Sequence, residues 1–425
     1  MERIYDNYLK EEIYIQNYPS GLKAFVIKKP NFSKVFAGYC THYGSVDSKF
    51  IHPETKQLIE VPDGIAHFLE HKLFEEQQGS VFDRFSKFGG MANAFTSFKS
   101  TVYYFLASNN FNENFDILLD FVQNPYFTDQ NVEKEKGIIA QEIRMYQDDP
   151  GWRVYFNLLQ ALYVKHPVKI DIAGTIESIN KITKEDLYTC YNTFYHPSNM
   201  IILVCGDVNE KEVFEKIEKS QKITKYQSLI ERVLPDEPNY INEKNIEINL
   251  SVSSPLFYIG FKDNLNELTP KETINKELTM HILNELLFGK STKLYNDLYE
   301  QGLINQNFAF DYNCENDYSF VIVGGESINP KKTYDVIIDY ISKYKQHGIN
   351  EDDFERSKRV VVGSILRKFD NIEKISVEFI NSYFKCVNLF DYAKEIENIK
   401  IEDCMKRLNE VYSYNNSAIS IINPV

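Results

Sequence analysis

The stretch His67-Phe-Leu-Glu70-His71 holds the residue types for metal-assisted hydrolysis. On a helix, residues four apart lie one above the other, so the two imidazoles can reach one tetrahedral zinc ion. Glu70 stands on the same side and reaches a water at the metal without ligating it. The H-x-x-E-H order is the reverse of the H-E-x-x-H order that also binds catalytic zinc. A catalytic zinc takes three protein ligands and keeps one position open, so another element must supply a carboxylate or a third histidine.

That element is predicted to be the helix over 131–147. Glu135 and Glu142 lie seven residues apart and share a face with Ile138 and Ile139. A carboxylate in an apolar stripe is costly unless it has a partner, and a dication is such a partner. Either glutamate could ligate. Glu142 is assigned as the ligand and Glu135 as an outer group that orients a ligand or the water. Glu75, Glu76, Asp148 and Asp149 are expected to be solvated. The remaining histidines, at 42, 52, 166, 196, 281 and 347, are single and are given structural or surface roles.

The elements that position these groups read as α+β. GLKAFVIKKP and KVFAGYCTHYGSV have the β-branched and aromatic content of strands, and NAFTSFKSTVYYFLAS that of a hairpin. Helical patterns cover 111–123, 131–147, 150–165 and 183–195, followed by the apolar strand NMIILVCGDV. Residues 221–245 are polar, contain Pro235 and Pro238, and read as a linker.

The second half repeats the first. AHFLEHKLF aligns with MHILNELLF, VEKEKGIIAQEI with FERSKRVVVGSI, and ITKEDL with IKIEDC, in the same order and with offsets that drift by only a few residues. The repeat predicts two homologous α/β domains, 1–222 and 246–425, joined by 223–245. Each should hold a mixed, mostly antiparallel sheet with helices on one face. Under this alignment Glu70 becomes Asn284, His71 becomes Glu285, Glu135 becomes Ser357 and Glu142 becomes Ser364. The apolar frame survives and the polar constellation does not, so those groups serve chemistry and the second domain is non-catalytic.

Composition narrows the class. A hydrophobic share of 43% with 25% charged residues describes a globular protein, and a net charge of −14 argues against nucleic acid or an anionic membrane as partner. The opening MERIYDNYLKEEIYIQNY is charged throughout, and no run approaches the ~18 apolar residues of a spanning helix. A cytoplasmic location without membrane insertion is expected. The six cysteines form no CxxC pair and read as free thiols.

With these residues in view, the chain resembles the M16 (pitrilysin-like) metallopeptidases, in their short bacterial processing-peptidase-like branch. DGIAHFLEHKLF, FGGMANAFTSFKSTVYYF, EKEKGIIAQEIRMYQDDP, HPVKIDIAGTIESINKITKEDLYTCYNTFYHPSNMIILVCGDV and HILNELLFGKSTKLYNDLYEQGL carry the similarity. The resemblance implies a zinc endopeptidase with His67, His71 and Glu142 as ligands and Glu70 as base. It implies a peptide substrate added as a strand at Asn93 and Ala94, inside a chamber closed by paired chains. The separation of His71 and Glu142 is shorter than is usual in the family, consistent with a loop deletion.

One departure concerns the partner. Active relatives carry an Arg and a Tyr in the second domain, where this chain has Tyr299 and Asn305. A paralogous subunit is expected to supply that pair in a heterodimer, a homodimer being the alternative. Two other functions compete: a non-catalytic core subunit, and a maturation protease dedicated to one precursor peptide.

Overall fold

The computed structural model describes residues 1–263 and 268–425. The chain divides into two compact units. The first comprises Met1–Ile143, Asp171–Leu234 and Lys368–Phe384; the second comprises Arg144–Ile170, Pro235–Arg367 and Lys385–Val425.

A seven-stranded sheet forms the first unit. Its order is Glu2–Asp6, Glu11–Asn17, Lys23–Lys28, Met200–Gly206, Val35–Thr41, Thr101–Ala107 and Met91–Thr96. Met200–Gly206 runs parallel to Lys23–Lys28, and the other neighbours are antiparallel. Val35–Thr41 and Met200–Gly206 are buried along their whole length, because both faces of the sheet are covered. On one face Tyr103 packs near Phe74, Phe121 and Tyr195, which lie on or just beyond the helices Ile65–Leu73, Phe111–Phe121 and Lys184–Phe194. On the other, the helix Ile372–Phe384 sets Phe379 and Tyr383 edge-on against Phe25, with centroids 5.0 and 5.2 Å away.

The second unit has a five-stranded sheet in the order Asn245–Leu250, Ser417–Pro424, Leu256–Asp263, Ser319–Glu326 and Ala309–Cys314. Its first pair is parallel and the rest antiparallel. This is the order and sense of the last five strands of the first sheet, so the sequence repeat is a repeat of topology. The helix Pro150–Leu162 packs on this second sheet. Gly260 leaves room for it: a Cβ there would come within 2.7 Å of Leu162 and 3.0 Å of Leu158.

The two equivalent helices, Pro150–Leu162 and Ile372–Phe384, are therefore exchanged: each belongs to the compact unit built mainly from the other half of the chain. Residues 223–245 are anchored along their length. Within the first unit Arg232 pairs with Asp47 at 2.9 Å. Within the second, Glu237 accepts the backbone N–H groups of Val164, Lys165 and His166 at 2.7–2.9 Å. Cys40, Cys190, Cys205, Cys314 and Cys404 are buried free thiols, and Cys386 is exposed. No helix among the described residues is long and apolar enough to cross a membrane.

Candidate metal centre

The helix Ile65–Leu73 starts at Gly64, whose φ of +91° belongs to the left-handed region. Glycine is needed there twice over, since a Cβ would also lie 2.4 Å from the carbonyl oxygen of Ala173. The helix buries Ile65, Ala66, Phe68, Leu69 and Leu73. This packing fixes the rotation that turns His67, Glu70 and His71 toward the neighbouring helix and the sheet edge. Asp129–Asp148 is that neighbouring helix, and it buries Val132, Glu135, Ile139 and Ile143. Ile139 shares the carboxylate face as expected. Ile138 does not: it is 45% exposed, because a residue three positions after Glu135 falls at the flank of the stripe.

His67, His71 and Glu142 converge, each offering a donor atom within 4.8 Å of the others. His67 Nε2 lies 3.8 Å from Glu142 Oε1, and His71 Nε2 lies 3.4 Å from Glu142 Oε2. Donors about 2.0–2.2 Å from a tetrahedral zinc are separated by roughly 3.3–3.6 Å, so this two-imidazole, one-carboxylate set fits that ion after a small contraction. Glu135 stands behind the set. Its Oε1 is 3.1 Å from His71 Nδ1, which fixes that nitrogen as the N–H and leaves Nε2 free to ligate. The buried Nδ1 of His67 has no such partner among the described residues.

Electrostatics agree with this division. Burial, aided by the neighbouring His71, lowers the His67 pKa to about 3, keeping its imidazole neutral. Burial also acts to depress His71, but its hydrogen bond to Glu135 and the charges of Glu142 and Glu70 outweigh it and hold His71 above its ordinary value. Burial alone would raise Glu135, yet His71 and Lys72 keep it below the usual carboxylate range. Glu70 is raised, chiefly by burial and partly by Glu142, against the opposing hydrogen bond from Thr96.

Two groups were not foreseen from sequence. Thr96 donates its hydroxyl to Glu70 Oε2 at 2.6 Å. Its position in the NAFTSF hairpin, on the strand with Asn93 and Ala94, was the available signal. Lys72, directly after His71, is fully buried and contacts Glu75 and Glu135. Glu75 and Glu76 are correspondingly not solvated: they are half-buried and paired with Lys72 and Arg84. Asp149 accepts from the Trp152 N–H and caps the helix Pro150–Leu162.

Asn93 and Ala94 lie on Met91–Thr96, which ends the first sheet and pairs on one side only among the described residues. Alternation along the strand puts Ala92, Ala94 and Thr96 on the face that carries Glu70. In the second unit the equivalent positions hold no such set. Buried Asn284 accepts a hydrogen bond from Tyr412, and Ser357 is buried. Tyr299 is exposed, and Asn305 donates to Glu326 at 2.7 Å.

Comparison with known proteins points the same way. The family model described as insulinase, peptidase family M16, matches residues 58–176, and the one described as peptidase M16 inactive domain matches residues 181–361. A Bacillus subtilis protein named as an uncharacterized zinc protease, YmfH, is 41% identical over 404 residues, covering 95% of this chain and 94% of its own. Zinc protease PqqE of Helicobacter pylori is 24% identical over 85% of this chain and 83% of its own. The crystal structure of an M16-like peptidase from Alicyclobacillus acidocaldarius superposes with a TM-score of 0.93 at 34% identity, covering 98% of this chain and 99% of that one. With both family models matched in order and a relative this similar along nearly its whole length, the chain belongs to peptidase family M16.

Proposed function

We propose that this chain is the zinc-bearing subunit of a metalloendopeptidase that cuts peptides and unfolded segments. The observation that carries the reading is the convergence of His67, His71 and Glu142 within 4.8 Å, with Glu70 held alongside at the sheet edge. A zinc ion held there supplies Lewis-acid polarisation of a scissile carbonyl and lowers the pKa of water to ~7.

The chain's own groups do the rest. Glu70 takes a proton from the attacking water and returns it to the leaving amine nitrogen. Its raised pKa brings proton affinity closer to the working pH. Thr96 fixes one of its oxygens, leaving the other for the water. The open side of Met91–Thr96, at Asn93 and Ala94, takes an extended substrate by main-chain pairing, which gives affinity without demanding one sequence. A folded substrate has no free extended segment to offer. The second domain is non-catalytic, and the family model for its residues is described as an inactive domain.

In this reading a second, paralogous subunit closes the chamber and brings the Arg/Tyr pair. Tyr299 and Asn305 at the corresponding positions support that role, since Tyr299 brings no cation where active relatives have the Arg and Asn305 no phenol where they have the Tyr. Loss of one such donor costs ~10²–10³ in turnover.

Mass-spectrometric detection of cleavage in a mixed peptide library, by the zinc-loaded chain and by Glu70→Gln, tests the reading. Cleavage by the wild-type chain alone that disappears in the variant supports a self-sufficient peptidase and removes the need for a second subunit. Cleavage only after a paralogous chain is added supports the heterodimer. A zinc-loaded chain inactive with and without such a partner points to a scaffold subunit.

A further inference from the structure

Lysine is rarely found fully buried without a partner, yet the Lys72 side chain is 0% exposed. Its ammonium contacts Glu75 Oε2 and lies 3.6 Å from Glu135 Oε2. Glu135 turns its other oxygen, Oε1, to His71 Nδ1 at 3.1 Å. His71 in turn faces Glu142 through Nε2. The groups thus form a chain, Glu75–Lys72–Glu135–His71, ending at the donor set. The carboxylate of Glu135 is gripped from both ends.

The repeat supplies a control. The alignment that pairs His71 with Glu285 pairs Lys72 with Leu286, which is buried, and Glu75 with Gly289. Glu135 is Ser357 there. The same helix position in the same topology is therefore satisfied by an apolar side chain. The fold does not call for the lysine; it is present where the histidines are.

We propose that Lys72 is a positioning residue of the metal centre: it commits Glu135 to its outer role, so that Glu135 orients His71 instead of competing with Glu142 as a ligand. The inference rests on the metal reading above. Without the ammonium, Glu135 Oε2 would be a buried carboxylate oxygen with one face unpaired, beside a dication that could take it. With it, Glu135 is neutralised in place and His71 keeps its Nε2 toward the ion. Because His67 Nδ1 lacks an orienting partner, this chain is the hydrogen-bonded support of the imidazole pair among the described residues.

The experiment uses the full chain and Zn²⁺ itself, with affinity read by competition against a chromophoric chelator and the metal-free proteins compared by thermal melting. Lys72→Met keeps an unbranched side chain one atom shorter and removes the charge. It should bind Zn²⁺ about 10–100-fold more weakly, the range of lost outer-sphere partners, measured at a temperature where the metal-free variant, destabilised by its unpaired buried carboxylates, is still folded. Glu135→Gln should lose a similar factor, and the double variant no more than the worse single. Cobalt-substituted Lys72→Met should show altered visible ligand-field bands. A folded Lys72→Met protein with affinity within two-fold of wild type, or losses that simply add in the double variant, would overturn the role. If methionine at 72 blocks folding, Lys72→Gln with and without Glu135→Gln gives the same cycle. A wild-type chain with no Zn²⁺ affinity defeats the metal centre itself, a result distinct from a normal wild type and an unaffected variant.

Discussion

Thr96 Oγ1 and Glu70 Oε2 meet at 2.6 Å, joining the edge strand to the helix that carries the histidines. The bond lowers the pKa of a carboxyl that burial raises. Thr96→Val keeps the shape and removes the donor. A base must be ionised to work, so the acid limb of kcat/KM should move to higher pH, with turnover at neutral pH down about ten-fold, since hydrogen bonds to charged groups contribute ~1.5–3 kcal/mol. A pH–rate profile on a fluorogenic peptide checks both. An unmoved acid limb would show that Thr96 does not act on the base.

Glu142 and Glu135 are distinguishable by metal content. Glu142→Gln should leave the protein without measurable zinc after dialysis, whereas Glu135→Gln should retain it with about 10–100-fold weaker affinity. Elemental analysis beside chelator titration separates them, and the reverse order would exchange their roles.

Metal removal should abolish cleavage and lower the melting temperature together. At zinc 100-fold above its Kd, binding adds about 2.7 kcal/mol to the folded state. His71 is held above its ordinary pKa, so in the metal-free protein a proton competes for its Nε2. Zinc affinity should therefore fall as pH drops below that raised value, by about ten-fold per unit for one proton displaced. Titrations at several pH values read the slope, and a flat profile would argue against His71 as a ligand.

Gly64→Ala should destabilise more than Gly79→Ala. Both glycines have positive φ, which costs other residues ~1–3 kcal/mol, but only Gly64 faces a backbone carbonyl where its Cβ would go. Urea unfolding of the two variants compares them. Equal losses would mean that conformation alone, not the contact with Ala173, sets the cost.

Much of this was legible in the sequence, for identifiable reasons. Strands such as Met200–Gly206 are unbroken apolar runs, and His67, Glu70 and His71 are bound by local helical spacing. Helix periodicity put Glu142 and Glu135 on one face, without choosing between them as ligand. What stayed hidden was set by tertiary contact. A lysine after His71 reads as a solvent group until the Asp129–Asp148 helix is docked beside it. The hydroxyl of Thr96 has no local reason to find Glu70. The amphipathic pattern of Pro150–Leu162 shows that one face is buried, but not that the burying sheet is built from the other half of the chain.

That exchange of helices bears on how the chain can be divided. Neither unit corresponds to one continuous stretch of polypeptide, so a gene cut at 223–245 encodes two fragments that each lack a covering helix and carry a surplus one. Expressed apart, each would expose an uncovered apolar sheet face and a stray apolar helix, the makings of aggregation. Expressed together, the two should reconstitute, because each holds the piece the other is missing. A nick in that segment of the intact protein would then go unnoticed until the protein was denatured.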